Sequence, residues 1–189
     1  MKRLMTVVLI LGAALVVVCC SKTEKTLSLP EDYTNWERVN TEELNYPIPG
    51  HESNYRIIYI NDIGKDVAIS SKNGRTRYEF PEGTIIAKTV YEGLNPSPNA
   101  GPVMITAMVK NKEHQHARGG WVWIVKNLNT GEERLVEEAF CYTCHAAANE
   151  SHPYSDGNPQ EEFRDYVFFA AEKRPADSIP QAAGRGNLS

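Results

Sequence analysis

Thr84-Ile85-Ile86-Ala87-Lys88-Thr89-Val90-Tyr91 is the stretch on which the fold turns. Six of its eight residues are β-branched or aromatic, side chains that fit a pleated, half-buried surface better than a helix. Pro81-Glu82-Gly83 immediately ahead of it reads as a turn. Working back toward the amino terminus, Lys72-Asn73-Gly74-Arg75 carries an Asn-Gly turn signal, and Val67 to Ser71 is ambiguous. Tyr55-Arg56-Ile57-Ile58-Tyr59-Ile60-Asn61 repeats the strand composition. Working forward, Leu94 to Pro102 holds three prolines and two asparagines and is a loop. Val103 to Lys110 is a third strand. Trp121-Val122-Trp123-Ile124-Val125-Lys126, entered from Gly119-Gly120 and left at Asn129-Thr130-Gly131, is a fourth.

Helical signals lie outside this block. Asp32 can cap a short helix through Trp36 and Val39, and Thr41-Glu42-Glu43-Leu44 is a weaker cap signal. Glu132 to Ala148 reads as helical, with Leu135, Val136 and Ala139 on one side. Glu161 to Ala171, carrying Phe163, Tyr166, Val167 and Phe168, reads as a second helix. Strands in one run and helices at its ends predict an α+β domain, built on an antiparallel sheet of four to five strands with flanking helices.

The first 20 residues belong to a different problem. Lys2 and Arg3 precede an apolar run from Leu4 to Val18, too short to span a bilayer comfortably and typical of a secretory signal. Val17-Val18-Cys19-Cys20-Ser21 resembles a lipoprotein cleavage site, with Cys20 as the acylated residue. Plain secretion is the alternative. Residues 21–28 read as a polar tether, 29–172 as the folded domain and 173–189 as a loose tail. Export places the domain outside the cytoplasm, in the periplasm, free or tethered by a lipid. Removing the leader leaves 18 basic against 24 acidic side chains, a net charge of −6. That excludes a strongly basic nucleic-acid binder and favours a cationic electron-transfer partner.

Two cysteines remain, in Cys141-Tyr142-Thr143-Cys144-His145. Cys-x-x-Cys-His is the attachment signature of c-type haem. One helical turn separates two thiols that add to the two vinyl groups of the porphyrin, and the next residue, His145, falls beneath the iron as its proximal ligand. A redox dithiol does not need the histidine, and a zinc site would need a second cysteine pair. Met104 and Met108 share a strand face and read as core before they read as ligands. His114 and His116 lie in a polar turn, and His51 and His152 stand beside turn formers. Without a compelling sixth ligand, the pattern predicts a five-coordinate iron with one open position for a small molecule. An electron carrier ligated by Met104, Met108, His114 or His116 is the alternative.

The order and spacing of four stretches resemble the cytochrome P-460 family, which includes the gas-binding cytochromes c′-beta. They are Tyr55–Asn61, Pro81-Glu82-Gly83-Thr84-Ile85-Ile86-Ala87-Lys88, Gly119-Gly120-Trp121-Val122-Trp123, and Cys141–His145 followed by Asp165-Tyr166-Val167-Phe168. The resemblance implies a mostly antiparallel β fold, a homodimer and one five-coordinate haem c. In the enzymatic branch it implies oxidation of hydroxylamine to nitrogen oxides; in that reading electrons would leave through the haem edge to a soluble cytochrome. Lys88 matches the lysine that those enzymes join to the porphyrin edge, and Arg56 an arginine near that link. The residues leave Lys88 open between such a role and an edge-strand lysine reaching solvent. Arg56 is open between a propionate clamp and an ordinary surface position. Glu137 and Glu138 are candidate bases one turn before the motif. Phe140 and Phe80 are candidate walls of a dry pocket for NO or CO, the reading in which the protein is not an enzyme.

Overall fold

A computed structural model describes residues 27–41 and 43–169. The leader with Cys19 and Cys20, the tether as far as residue 26 and the tail from 173 lie outside the described residues, as does Glu42 of the second cap signal. Among the described residues, eight strands form two sheets. They are β1 Glu37–Arg38, β2 Asn54–Ile60, β3 Ala68–Lys72, β4 Arg75–Glu79, β5 Ile85–Glu92, β6 Met104–Lys110, β7 Trp121–Asn127 and β8 Glu133–Leu135. The main sheet runs β1-β2-β5-β6-β7-β8, antiparallel throughout, and β3-β4 is a separate hairpin. One α-helix, α1 (Ala139–Ala146), follows β8. The architecture is the expected α+β one, but the main sheet has six strands where the sequence predicts four to five, because the short β1 and β8 add to its two edges.

The ambiguous segment after Val67 is strand β3. Its partner is fixed by Asn73 and Gly74, whose φ of 55° and 78° make the mirror-image turn that suits the twist of a hairpin. Three helical expectations are corrected. Asp32 makes no side-chain cap, and only a 3-10 turn forms at Tyr33–Asn35 before the chain enters β1. The helix expected over Glu132–Ala148 begins only at Ala139. Before it, β8 pairs with the open edge of β7, and alternation sends Leu135 and Val136 to opposite faces of the sheet. The helix expected over Glu161–Ala171 is not present in its described part. Glu161, Asp165 and Tyr166 have φ of 51°, 51° and 68°, which a right-handed helix cannot accommodate. The segment instead satisfies its backbone on β4, with Tyr78 N–H donating to the Phe163 carbonyl and Phe163 N–H to that of Thr76.

The register sorts side chains onto two faces. Tyr59, Ala87, Ala107 and Ile124 line up on one, covered by Leu29 and Tyr33. Ile60, Ile86, Met108 and Trp123 line up on the other, beside a second row of Ile58, Lys88, Thr106 and Val125. The hairpin, α1 and the 163–169 segment close over this second face, where Tyr78, Phe80, Met108, Trp121, Trp123 and Phe169 form the core.

Candidate functional site

Helix α1 rests on the second face, with Cys141 and Tyr142 packed against its apolar cluster. Cys141 and Cys144 are three apart on a helix and so share one side of it. Both are free thiols, half-buried, and burial pushes both above the ordinary thiol range. His145 comes next. Its ring lies 4.8 Å from Trp123 and 5.4 Å from Phe168, centroid to centroid. Its Nδ1 is 2.8 Å from the Tyr166 carbonyl oxygen. A carbonyl can only accept, so Nδ1 carries the proton and Nε2 keeps the lone pair, the state of a ligating histidine. Burial, with Lys88 adding to it, pushes His145 down to about 4, so the ring is neutral at pH 7.

Lys88 projects from β5 onto the same face, as its alternation with Ile86 and Val90 requires. It does not reach away to solvent. Its Nζ is 2.5 Å from Nε2 of His51. Burial, reinforced by Arg56, lowers Lys88 to about 8, while Cys141 and Cys144 act the other way. The lysine therefore lies within electrostatic reach of both thiols and holds an appreciable fraction of neutral amine near neutrality.

His51, which the sequence ranks with His152 below the other histidines, is moved by the structure to the centre of the site. Burial first, then Lys88 and Arg56, push it to about 3, leaving a neutral imidazole. Gly50, at φ 77°, turns the chain so closely under Phe140 that a Cβ there would stand 2.9 Å from the ring. No spacing in the sequence links 51 with 88; only the antiparallel pairing of β2 with β5, with the loop ahead of β2 folded back onto Arg56, does so.

Arg56 explains that loop. It is a fully buried residue of β2, so the surface reading fails. Its Nε donates to the carbonyl of Leu44, Nη1 to that of His51 and Nη2 to that of Tyr46, at 3.2, 3.2 and 2.7 Å. The guanidinium is a fork that three carbonyls of one loop close around, and it holds His51 over Lys88. A lysine at 56 keeps the charge but cannot reach all three. Arg56→Lys is expected to lower stability by about 2–4 kcal/mol through unpaired buried carbonyls, read as a lower urea midpoint at unchanged slope.

The remaining sequence candidates fall elsewhere. Met108 is core, packed with Trp121 and Trp123. Phe80 is core too, 4% exposed and edge-on to Trp121 at 5.7 Å. His114 and His116 lie 5.6 Å apart, centroid to centroid, and His116 is 3.4 Å from Glu137. Glu138 pairs with Arg134, and both glutamates are mostly exposed. His152 packs on Phe168. Phe140 is the most exposed large apolar side chain among the described residues, at 63%, directly before the first thiol.

These residues fit a haem. Two free thiols one turn apart face the same way, the histidine after them presents Nε2, and an exposed aromatic flanks them. Among the described residues, His51 Nδ1 and Trp123 Nε1 are buried polar atoms on this face with no hydrogen-bond partner. A bulky planar group with polar edges would give such atoms something to meet.

A β-sheet face carrying a Cys-x-x-Cys-His helix, a neutral histidine and a row of apolar side chains defines a haem-binding cytochrome. Within that class, the cytochrome P460 family model matches residues 30–169, and the chain belongs to that family. A search of curated proteins finds no match.

Proposed function

We propose that the protein is an exported mono-haem c-type cytochrome that oxidises hydroxylamine. Cys141 and Cys144 would hold the haem through thioethers, and His145 Nε2 would hold the iron from one side, leaving the other open. The haem would supply a redox-active iron that binds the substrate nitrogen and accepts its electrons. The chain's own residues do the rest. Tyr166 keeps the His145 tautomer fixed. The apolar row of Ile86, Met108 and Trp123 excludes water. Lys88 provides a nucleophilic amine for a covalent bond to the porphyrin edge, in which the new N–C bond replaces one N–H and one C–H bond while two electrons pass to an external oxidant such as a peroxide. As hydroxylamine is oxidised to a nitrogen oxide it loses protons along with electrons, and the neutral His51 ring, hydrogen-bonded to Lys88, can relay one outward without keeping it.

The observation that carries this reading is Lys88 itself, an amine held on the sheet face by His51 and within electrostatic reach of both thiols. The test is a protease digest of the holoprotein with an optical spectrum. The expected result is a haem-bearing peptide containing both Cys141–His145 and Lys88, with the ferrous Soret band strongly red-shifted. A free Lys88 peptide would overturn the enzymatic reading. A second reading, a non-enzymatic NO or CO binder, draws on Phe140, whose exposed ring beside the thiols would make an apolar wall. Unlinked Lys88 together with a high-spin iron that binds CO and NO would select it.

Delivery follows from the leader: export to the periplasm, with lipidation at Cys20 as the tether. A homodimer and a soluble cytochrome as electron acceptor complete the proposal, the latter in keeping with the anionic mature charge.

A further inference from the structure

The hydrogen bond that fixes His145 does not depend on its own helix. It comes from the Tyr166 carbonyl, in a turn where two consecutive non-glycine residues, Asp165 and Tyr166, take positive φ of 51° and 68°. Such a conformation persists only where the surroundings over-determine it. The surroundings here are the ends of two sheet strands. Lys110, the last residue of β6, donates from Nζ to both carboxylate oxygens of Asp165, at 2.6 and 2.7 Å, with both side chains almost wholly buried. The Asp165 carboxylate also accepts from Phe80 N–H at 2.9 Å, and its main-chain carbonyl accepts from Trp121 Nε1 at 2.8 Å. The Lys110 ammonium lies 4.8 Å from the Trp121 ring centroid. On the far side of the turn, the backbone leaves little slack: a Cβ at Gly119 would stand 2.6 Å from the Tyr166 ring.

We infer that Lys110 and Asp165 are positioning residues for the proximal ligand: their buried ion pair clamps the 165–166 turn to the sheet and so sets the strength of the bond from His145 Nδ1–H to the Tyr166 carbonyl. A strong bond there enriches the imidazole in electron density, strengthens its bond to the metal and favours the oxidised iron. The sheet, through Lys110, thereby tunes a ligand that the helix carries. This rests on the ligand role of His145 proposed above, and it adds two residues that no haem motif contains.

The test compares the wild-type holoprotein with the double variant Lys110→Met/Asp165→Asn. The variant leaves no unpaired buried charge. It also keeps an amide oxygen for Phe80 N–H, and asparagine tolerates positive φ well. In the ferrous protein the iron–histidine stretching band is expected to move to lower frequency and the reduction potential to rise, with haem content by intact mass unchanged. Ile105→Val, in the core of the opposite face, serves as a control for general loosening and is expected to move neither. A wild-type band and potential in the folded double variant would overturn the inference. If the wild-type iron is six-coordinate, the open-iron reading fails on its own. The clamp is then judged from the hyperfine-shifted His145 Nδ1–H resonance, whose identical position in variant and wild type would likewise overturn it.

Discussion

His145→Ala is expected to yield a protein that still carries haem on its two cysteines but has lost the nitrogen proposed to hold the iron. The Cys141 and Cys144 thiols are independent of the imidazole, so intact mass should show covalent haem at near wild-type content. The optical spectrum should lose the features of a histidine-ligated iron. The ring also fills space between Trp123 and Phe168, so its removal opens a cavity against two aromatic walls. That cavity supplies the control. Imidazole added at millimolar concentration should enter it, donate its N–H to the Tyr166 carbonyl as His145 does and restore the wild-type spectrum. A purely structural histidine would show no spectral loss for imidazole to reverse. An unaltered spectrum in the variant would mean that the iron takes its nitrogen from elsewhere, and His51, already on this face with a lone-pair nitrogen, would be the first residue to examine.

Arg164→Met is expected to be the most damaging change away from the site. Arg164 is wholly buried, donates to both oxygens of Asp156 and bonds Glu162 through Nε and Nη2 at 3.2 and 2.8 Å. Its guanidinium also lies 4.8 Å from the Phe169 ring centroid. Methionine keeps much of the packing length but leaves two nearly buried carboxylates without their cation. Breaking such a pair from one side costs about 3–5 kcal/mol. Against the 5–15 kcal/mol of a typical domain, that is a large share of the whole. The deficit should appear as a lower denaturant midpoint and should shrink as pH is lowered, because protonating either carboxyl removes a buried charge that has lost its arginine. A loss below 1 kcal/mol, or a deficit that grows in acid, would contradict this account. The 150–164 loop is thus an ion-paired scaffold for the turn that follows it, and the turn in its place presents the Tyr166 carbonyl to His145.

Local patterns in the chain carried much of this. The four long strands are readable because β-branched and aromatic residues alternate between Gly, Pro and Asn punctuation, and their order imposes an antiparallel sheet. The Asn73-Gly74 turn is readable because few residue pairs tolerate its backbone. Errors arise where a short segment has two ways to satisfy its backbone. Glu133–Leu135 has helical composition but lies beside the unpaired edge of β7. The 161–169 segment has apolar residues at helical spacing but finds its partners on β4. In both cases a tertiary edge supplied hydrogen bonds that a propensity cannot foresee.

The site divides the same way. Cys141, Cys144 and His145 are legible because haem attachment demands thiols and imidazole at fixed local spacing, and local spacing is what a sequence states directly. The placement of Lys88 on an apolar face follows from the two-residue period of a strand. What opposes it does not. His51, Arg56, Lys110 and Asp165 meet their partners across loops and strand pairings that span up to 55 residues. The sequence by itself therefore determined which chemistry the chain can hold and which face of a strand carries a lysine. Only the tertiary structure decided what keeps those groups in place, because a buried charge or an imidazole tautomer is set by partners that become neighbours when the sheet closes.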